Sequence, residues 1–215
     1  MAAQSKFLSF VIICIVGIAG VGAALIWRRP PPAVELATGS YLTPSRKLPD
    51  FSLIDEQGRL FGNANLRGHW SLLYFGFTNC PDLCPATLTT LAALQKRLRA
   101  EPAAVLPQVV FVSLDSGRDT PAQLAKYLPN FDPGFIGLTA ADQPAIEAIA
   151  RQFAVAAAIR PTAGGNYTID HTGAIFVLNP DARLTAILTG PFGVDALRSD
   201  LLHIMAARGI LAGRT

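Results

Sequence analysis

Cys80 and Cys84 are the residues most able to do chemistry in this chain. They are separated by three intervening residues in FGFTNCPDLCPATL, after an apolar run and before a helical pattern. A strand-to-helix junction of this kind projects reactive groups from a rigid sheet. Proline disfavours helical geometry in the residue before it, so Pro81 and Pro85 predict that both cysteines lie in a loop. Pro85 suits a first helical position, which predicts Cys84 as the N-cap, its thiolate stabilised by the helix dipole. Two chemistries are open to such a pair. The sulfurs can close a disulfide if the Cα atoms approach within about 4.4–6.8 Å, or both can face one soft metal ion.

A metal needs a third ligand, and the sequence holds only three histidines, His69, His171 and His203. His171, in NYTIDHTGAIFVL, opens a predicted strand whose edge can face the cysteine loop, and it is the candidate ligand. The competing reading is an ordinary surface-loop histidine. His69 follows Gly68 in a turn and His203 lies in the terminal helical pattern; both read as surface residues. Two thiolates and an imidazole suit Cu(I) in a roughly trigonal site and can also hold Cu(II). A closed zinc site would want a fourth protein ligand. Met1 and Met205 are the only methionines, which excludes a methionine-rich site. Cys14, inside a long apolar stretch, reads as a small filler.

The elements that must position these residues are legible as apolar runs bounded by turn signals. Strands are predicted at 71–77, 108–114, 174–180 and 184–190, with NPDAR at 179–183 as a hairpin turn. Helices are predicted at 85–100, 120–128, 143–153 and 194–208. FSLIDEQGRLF suggests an earlier hairpin turning near Gln57 and Gly58. Strand-helix-strand-helix followed by a hairpin and a last helix is the order of an α/β, thioredoxin-like fold.

Composition bounds the rest. The 215 residues hold about one domain plus an appendage. With 51% apolar and 15% charged residues the chain is not of the disordered class. Lys6, Arg28 and Arg29 account for the net charge of +3, leaving fifteen basic against fifteen acidic residues after position 29. That neutrality, with no basic run, excludes nucleic acid as a partner. Residues 7–27 are uncharged and, as a helix rising about 1.5 Å per residue, match the roughly 30 Å of a bilayer core. The predicted organisation is a short tail at 1–6, a transmembrane helix at 7–27, a Pro-rich tether at 28–47 and a thioredoxin-like copper-binding domain at 48–215. A cleavable signal peptide is the alternative for the apolar segment, with VGAA at 21–24 as its cleavage site. Flanking charges alone would leave the domain in the cytoplasm, but large domains cross largely regardless of them. An Arg-rich mitochondrial presequence is absent, which points to a bacterial plasma membrane.

Four blocks carry a resemblance: FGFTNCPDLCP at 75–85, LDSGRDTP at 114–121, FIGLTA at 135–140 and YTIDHTGAIFVLNPDAR at 167–183. In this order the chain resembles the Sco/SenC copper chaperones of cytochrome c oxidase assembly. The resemblance implies that Cys80, Cys84 and His171 bind one copper ion, which is delivered to the CuA site of the oxidase's copper-site subunit. It also implies a single-pass anchor with the domain facing the periplasm, and other copper chaperones or thiol reductants as further partners. The protein is then mainly a carrier, and the alternative is a thiol-disulfide oxidoreductase that reduces the acceptor's cysteines before metallation. A thiol peroxidase is disfavoured because both cysteines share one loop with no evident activating Arg. Ser116 stands where the family usually has proline, and His69 where it commonly has lysine. Asp115 and Asp119 fit the family's acidic pair, either supporting the site or facing a partner, with capping of the next helix as the plainer role for Asp119. Asp82 reads as a solvated carboxylate, and Asp170 is a candidate to orient the neighbouring imidazole.

Overall fold

A computed structural model describes residues 34–102 and 105–212. The predicted tail and transmembrane helix lie outside the described residues. Among those described, no helix is long and apolar enough to cross a membrane.

The sheet is organised around β4 (Ser71–Gly76) and β5 (Gln108–Ser113), which pair in parallel. Both were predicted from runs apolar on both faces, and both are buried along nearly their whole length. Beyond β5 comes β6 (Ile136–Thr139), again parallel, then the hairpin of β2 (Ser52–Asp55) and β3 (Leu60–Gly62). On the other side of β4 lie β9 (Ala174–Leu178), β10 (Arg183–Thr189) and β1 (Gly39–Lys47), all antiparallel. Among the described residues the order is β1-β10-β9-β4-β5-β6-β2-β3, with a separate two-stranded sheet of β7 (Ala157–Pro161) and β8 (Tyr167–His171). A short helix α1 (Asn63–Leu66) leads into β4.

Strand alternation divides the core in two. Leu72 and Tyr74 of β4, with Val109 and Phe111 of β5, face α2 (Leu83–Arg99), α3 (Pro121–Tyr127) and α5 (Val194–Ala212). Leu73 and Phe75, with Val110 and Val112, face α4 (Gln143–Gln152) through Ile146 and Ile149. This is the thioredoxin-like α/β layering that the sequence predicts.

Turn chemistry follows the residue types. Gly58 takes φ +79° in the β2–β3 turn, a region costly for other residues, while the Asp55 carboxylate accepts the Gln57 and Arg59 amides at 2.9 and 2.8 Å. Asn179 fixes the β9–β10 turn by accepting from Asp181 and Arg183.

One segment differs from expectation. Residues 39–47, read as the end of the tether, form β1 on the sheet edge. Pro44 hid this strand, because proline breaks a ladder and is accommodated only at an edge or a bulge; the register shifts between Tyr41 and Arg46. The segment just before β1 is held by buried Asp200 of α5, whose carboxylate accepts the Ala37 and Thr38 amides and the Thr38 hydroxyl.

Candidate metal centre

Gly76, the last residue of β4, is what allows a sulfur to approach the sheet. A Cβ built on it would lie 2.8 Å from Cys84 Sγ and 2.8 Å from the Phe111 ring. The chain then turns through Phe77, Thr78 and Asn79 to Cys80, whose amide donates to the Phe77 carbonyl. Thr78 is pinned by Asp119: its amide donates to Oδ2 at 2.9 Å and its hydroxyl to Oδ1 at 2.6 Å. The Ser113 hydroxyl adds a third bond to the same carboxylate.

Helix α2 begins earlier than predicted, with Asp82 at the N-cap position and Cys84 in the first turn. Cys84 is therefore neither the cap nor in the loop. The preference against a helical residue before proline was outweighed, since a proline in the first turn sacrifices only an amide that has no intrahelical partner anyway. The free amide of Cys84 donates instead to Cys80 Sγ at 3.4 Å. The positive end of α2 thus addresses the half-exposed sulfur of Cys80.

His171 ends β8 and reaches the same point. Its Nε2 lies 3.5 Å from Cys84 Sγ, and its Nδ1 lies 3.1 Å from the Thr172 carbonyl. A carbonyl only accepts, so Nδ1 carries the proton and Nε2 presents its lone pair to the sulfur, the tautomer a metal requires. The imidazole is seated edge-on against Tyr74 and Phe77. Cys80 Sγ, Cys84 Sγ and a ring nitrogen of His171 all lie within 4.8 Å of one another. Ligands held at about 2.0–2.3 Å in a trigonal site stand about 3.5–4 Å apart, so side-chain motion of about 1 Å completes it.

Burial sets the protonation states. Cys84 is fully buried, and desolvation pushes its thiol up to about 12, against a smaller opposing contribution from the Phe77 backbone. The expected stabilised thiolate is thus overturned for the metal-free protein, because loss of solvent outweighs the helix end. The Tyr74 hydroxyl lies 3.9 Å from the same sulfur, and burial raises this phenol above its ordinary range. Desolvation lowers the His171 pKa, keeping the imidazole neutral at pH 7. A cation entering here displaces a thiol proton rather than meeting a ready-made charge.

Other sequence candidates fall elsewhere. His69 and His203 are exposed. Asp170 does not orient the imidazole; it pairs with Arg160 across the β7–β8 hairpin. Asp82 is exposed and makes no capping bond through its side chain. Asp119 does not cap α3, a role taken by Thr120, which accepts from the Gln123 amide. Ser116 uses what proline would lack, its amide meeting Gln143 Oε1. Sequence reasoning missed Gly76, Thr78, Arg118 and Tyr167. All lie inside the quoted blocks, but the roles of the last three depend on partners distant in sequence, Thr78 on Asp119 and Arg118 with Asp115 on Tyr167, and that of Gly76 on a sulfur and a ring that the fold brings beneath it.

Two thiols and an imidazole gathered at the end of β4 on this fold define a thioredoxin-like protein with a soft-metal ligand set. The SCO1/SenC family model matches residues 40–206. The chain belongs to the Sco/SenC family. It is 37% identical over 159 residues to a mitochondrial SCO2 homolog of Bos taurus, which covers 74% of this chain; the chain spans 59% of that relative's length. Among solved structures it resembles Arabidopsis thaliana ScoI with copper bound, at 33% identity and TM-score 0.70, covering 74% of this chain and 98% of that one. Bradyrhizobium japonicum ScoI with copper bound matches at 31% identity and TM-score 0.65, covering 73% and 98%.

Proposed function

We propose that this protein is a copper chaperone: it binds one copper ion through Cys80, Cys84 and His171 and delivers it to the CuA site of cytochrome c oxidase. The observation that carries this reading is the convergence of two sulfurs and one imidazole nitrogen within 4.8 Å. Copper-bound Sco structures with the same fold support the choice of metal. On loading Cu(I), two sulfur–copper bonds form as two thiol protons leave to solvent, and Nε2 donates its lone pair without losing a proton. No electron changes hands.

The ligands are unequal. Cys84 is buried, whereas Cys80 is half-exposed on its loop. An acceptor thiolate therefore meets the ion on the Cys80 side, and stepwise exchange begins with that sulfur. The apolar segment at 7–27 serves this function as a membrane anchor, with the domain on the periplasmic face and the Pro-rich segment as a leash that raises the effective concentration at a membrane-bound acceptor. Against the thiol-disulfide oxidoreductase alternative stands the buried Cys84, whose raised thiol pKa makes that sulfur a poor attacking group at neutral pH.

The test is copper stoichiometry of the full chain in detergent under reducing conditions. One ion per chain is expected, with loss in Cys80→Ser and Cys84→Ser and weakened binding in His171→Ala. A His171→Ala protein that holds copper as tightly as wild type refutes the assigned ligand set.

A further inference from the structure

The hairpin that brings in His171 is poorly attached. It forms its own two-stranded sheet, and all five residues of β7 are exposed. An isolated two-stranded ribbon is marginal in water, so its contacts with the body decide where the imidazole sits. Ile169 is one, buried in the core. Another is a polar clasp around Arg118. Its guanidinium lies over the Tyr167 ring, Cζ 3.6 Å from the centroid, and Nη1 donates to the Tyr167 carbonyl and to Asn166 Oδ1, each at 3.0 Å. Its Nε meets the Asp115 carboxylate, which also accepts the Tyr167 hydroxyl at 2.7 Å. Asp115 is buried and the Arg118 side chain is mostly so, so this is not a solvent-weakened surface pair. The same guanidinium stands 6.0 Å from the Phe77 ring, which packs T-shaped against His171.

One residue beyond Arg118, Asp119 holds Thr78 in the cysteine loop. The five residues 115–119 thus bracket both halves of the ligand set: Asp119 fixes the sulfur side, and Asp115 with Arg118 fixes the imidazole side. Accepting the copper reading above, we propose that the Asp115–Arg118–Tyr167 clasp is a positioning device that sets His171 against the two sulfurs, and that its opening converts a three-ligand site into a two-thiolate site ready to surrender copper. A clasp that merely stabilises the fold would act on all three ligands alike. A positioning clasp acts through His171 alone.

That difference is measurable in the full chain in detergent. Cu(I) affinity, by competition with a chromophoric chelator, is compared for wild type, Arg118→Gln, His171→Ala and the double variant. Outer partners of metal ligands commonly govern about 10- to 100-fold in affinity. Arg118→Gln is expected to lose at least about tenfold, and the double variant to bind no more weakly than His171→Ala. Tyr167→Phe, which keeps the ring and loses only the hydroxyl bond to Asp115, is expected to lose less. Amide hydrogen exchange without metal should quicken in β7 and β8 of both clasp variants while β4 and β5 hold at wild-type rates. Losses that multiply in the double variant, or hairpin exchange unchanged by Arg118→Gln, overturn the clasp. Wild type that takes up no copper overturns the metal reading instead, and the exchange data still report on the clasp.

Discussion

Gly76→Ala is the smallest change expected to damage the centre from beneath. The added methyl would lie 2.8 Å from Cys84 Sγ, 2.8 Å from Phe111 Cε2 and 3.2 Å from its Cζ. Carbon atoms pack comfortably at about 3.5–4.0 Å, so the neighbours must give way by about 0.7 Å or more. Both are fully buried, and the strand lies between β5 and β9, which leaves the sulfur, on its single rotatable arm, as the part that moves. Overpacking of this kind typically costs about 1–3 kcal/mol, and for a domain of this size each kcal/mol lowers the Tm by roughly 2–4 °C. The displaced sulfur also leaves its 3.5 Å contact with His171. The expected result is a folded protein whose denaturant midpoint falls and whose Cu(I) affinity falls with it, read by chemical denaturation without metal and by chelator competition. Alanine at 76 with wild-type stability and affinity would show that Cys84 does not depend on the bare backbone beneath it.

Other expectations follow from the same geometry. Iodoacetamide at pH 7.5 should label Cys80 well before Cys84, since the latter is buried with its thiol pushed up to about 12; mass spectrometry of partially labelled protein reads the order, and equal rates would contradict the burial. A thiol pKa raised in the folded state means that the native protein binds more protons than the unfolded chain above the free thiol's value of about 8.5. Metal-free stability should then fall as pH rises from about 9 toward 12, and Cys84→Ala should flatten that fall in urea titrations. Asp119→Ala strands the Thr78 amide and the Thr78 and Ser113 hydroxyls; a loss of roughly 3 kcal/mol in urea unfolding is expected, with a smaller loss for Asp119→Asn. Asp200→Ala frees three donors at Ala37 and Thr38, so amide exchange in β1 should accelerate while β4 and β5 keep their protection.

Legibility in the sequence tracked how local each signal was. The strands at 71–77 and 108–114 were evident because a buried parallel pair needs unbroken apolar runs, and the observed β4 and β5 end within a residue of those limits. The terminal helix and the Asn179 turn were evident from other local signals, a helical apolar period and an Asn-Pro-Asp turn sequence. By contrast β1 carries a proline, β6 spans four residues, and β7 is exposed throughout. None of these offers the alternation from which strands are read. In the centre, residue types pointed to the two cysteines, and the choice of His171 gained its weight from the family blocks. What spacing could not convey was environment. The same Pro85 that suggested a loop cysteine is compatible with a helix that starts two residues earlier, and that start carries Cys84 under the sheet end, where its proton is retained.

That retained proton bears on what the site can carry. With Cys84 held as a thiol and His171 neutral, these two ligands bring no charge into the pocket on folding, and neither supplies the anionic oxygen that hard divalent cations prefer. Binding energy is collected only by an ion able to replace a thiol proton and accept soft sulfur donors. The same linkage eases departure. On the proposed function, an acceptor that takes the ion leaves the buried sulfur to recover a proton, and Cys84 returns to its neutral thiol without a bare thiolate left beside the Tyr74 hydroxyl. On the proposed function, selectivity for a soft cation and its ready release would share one physical cause, the desolvation of Cys84 that Gly76 makes room for.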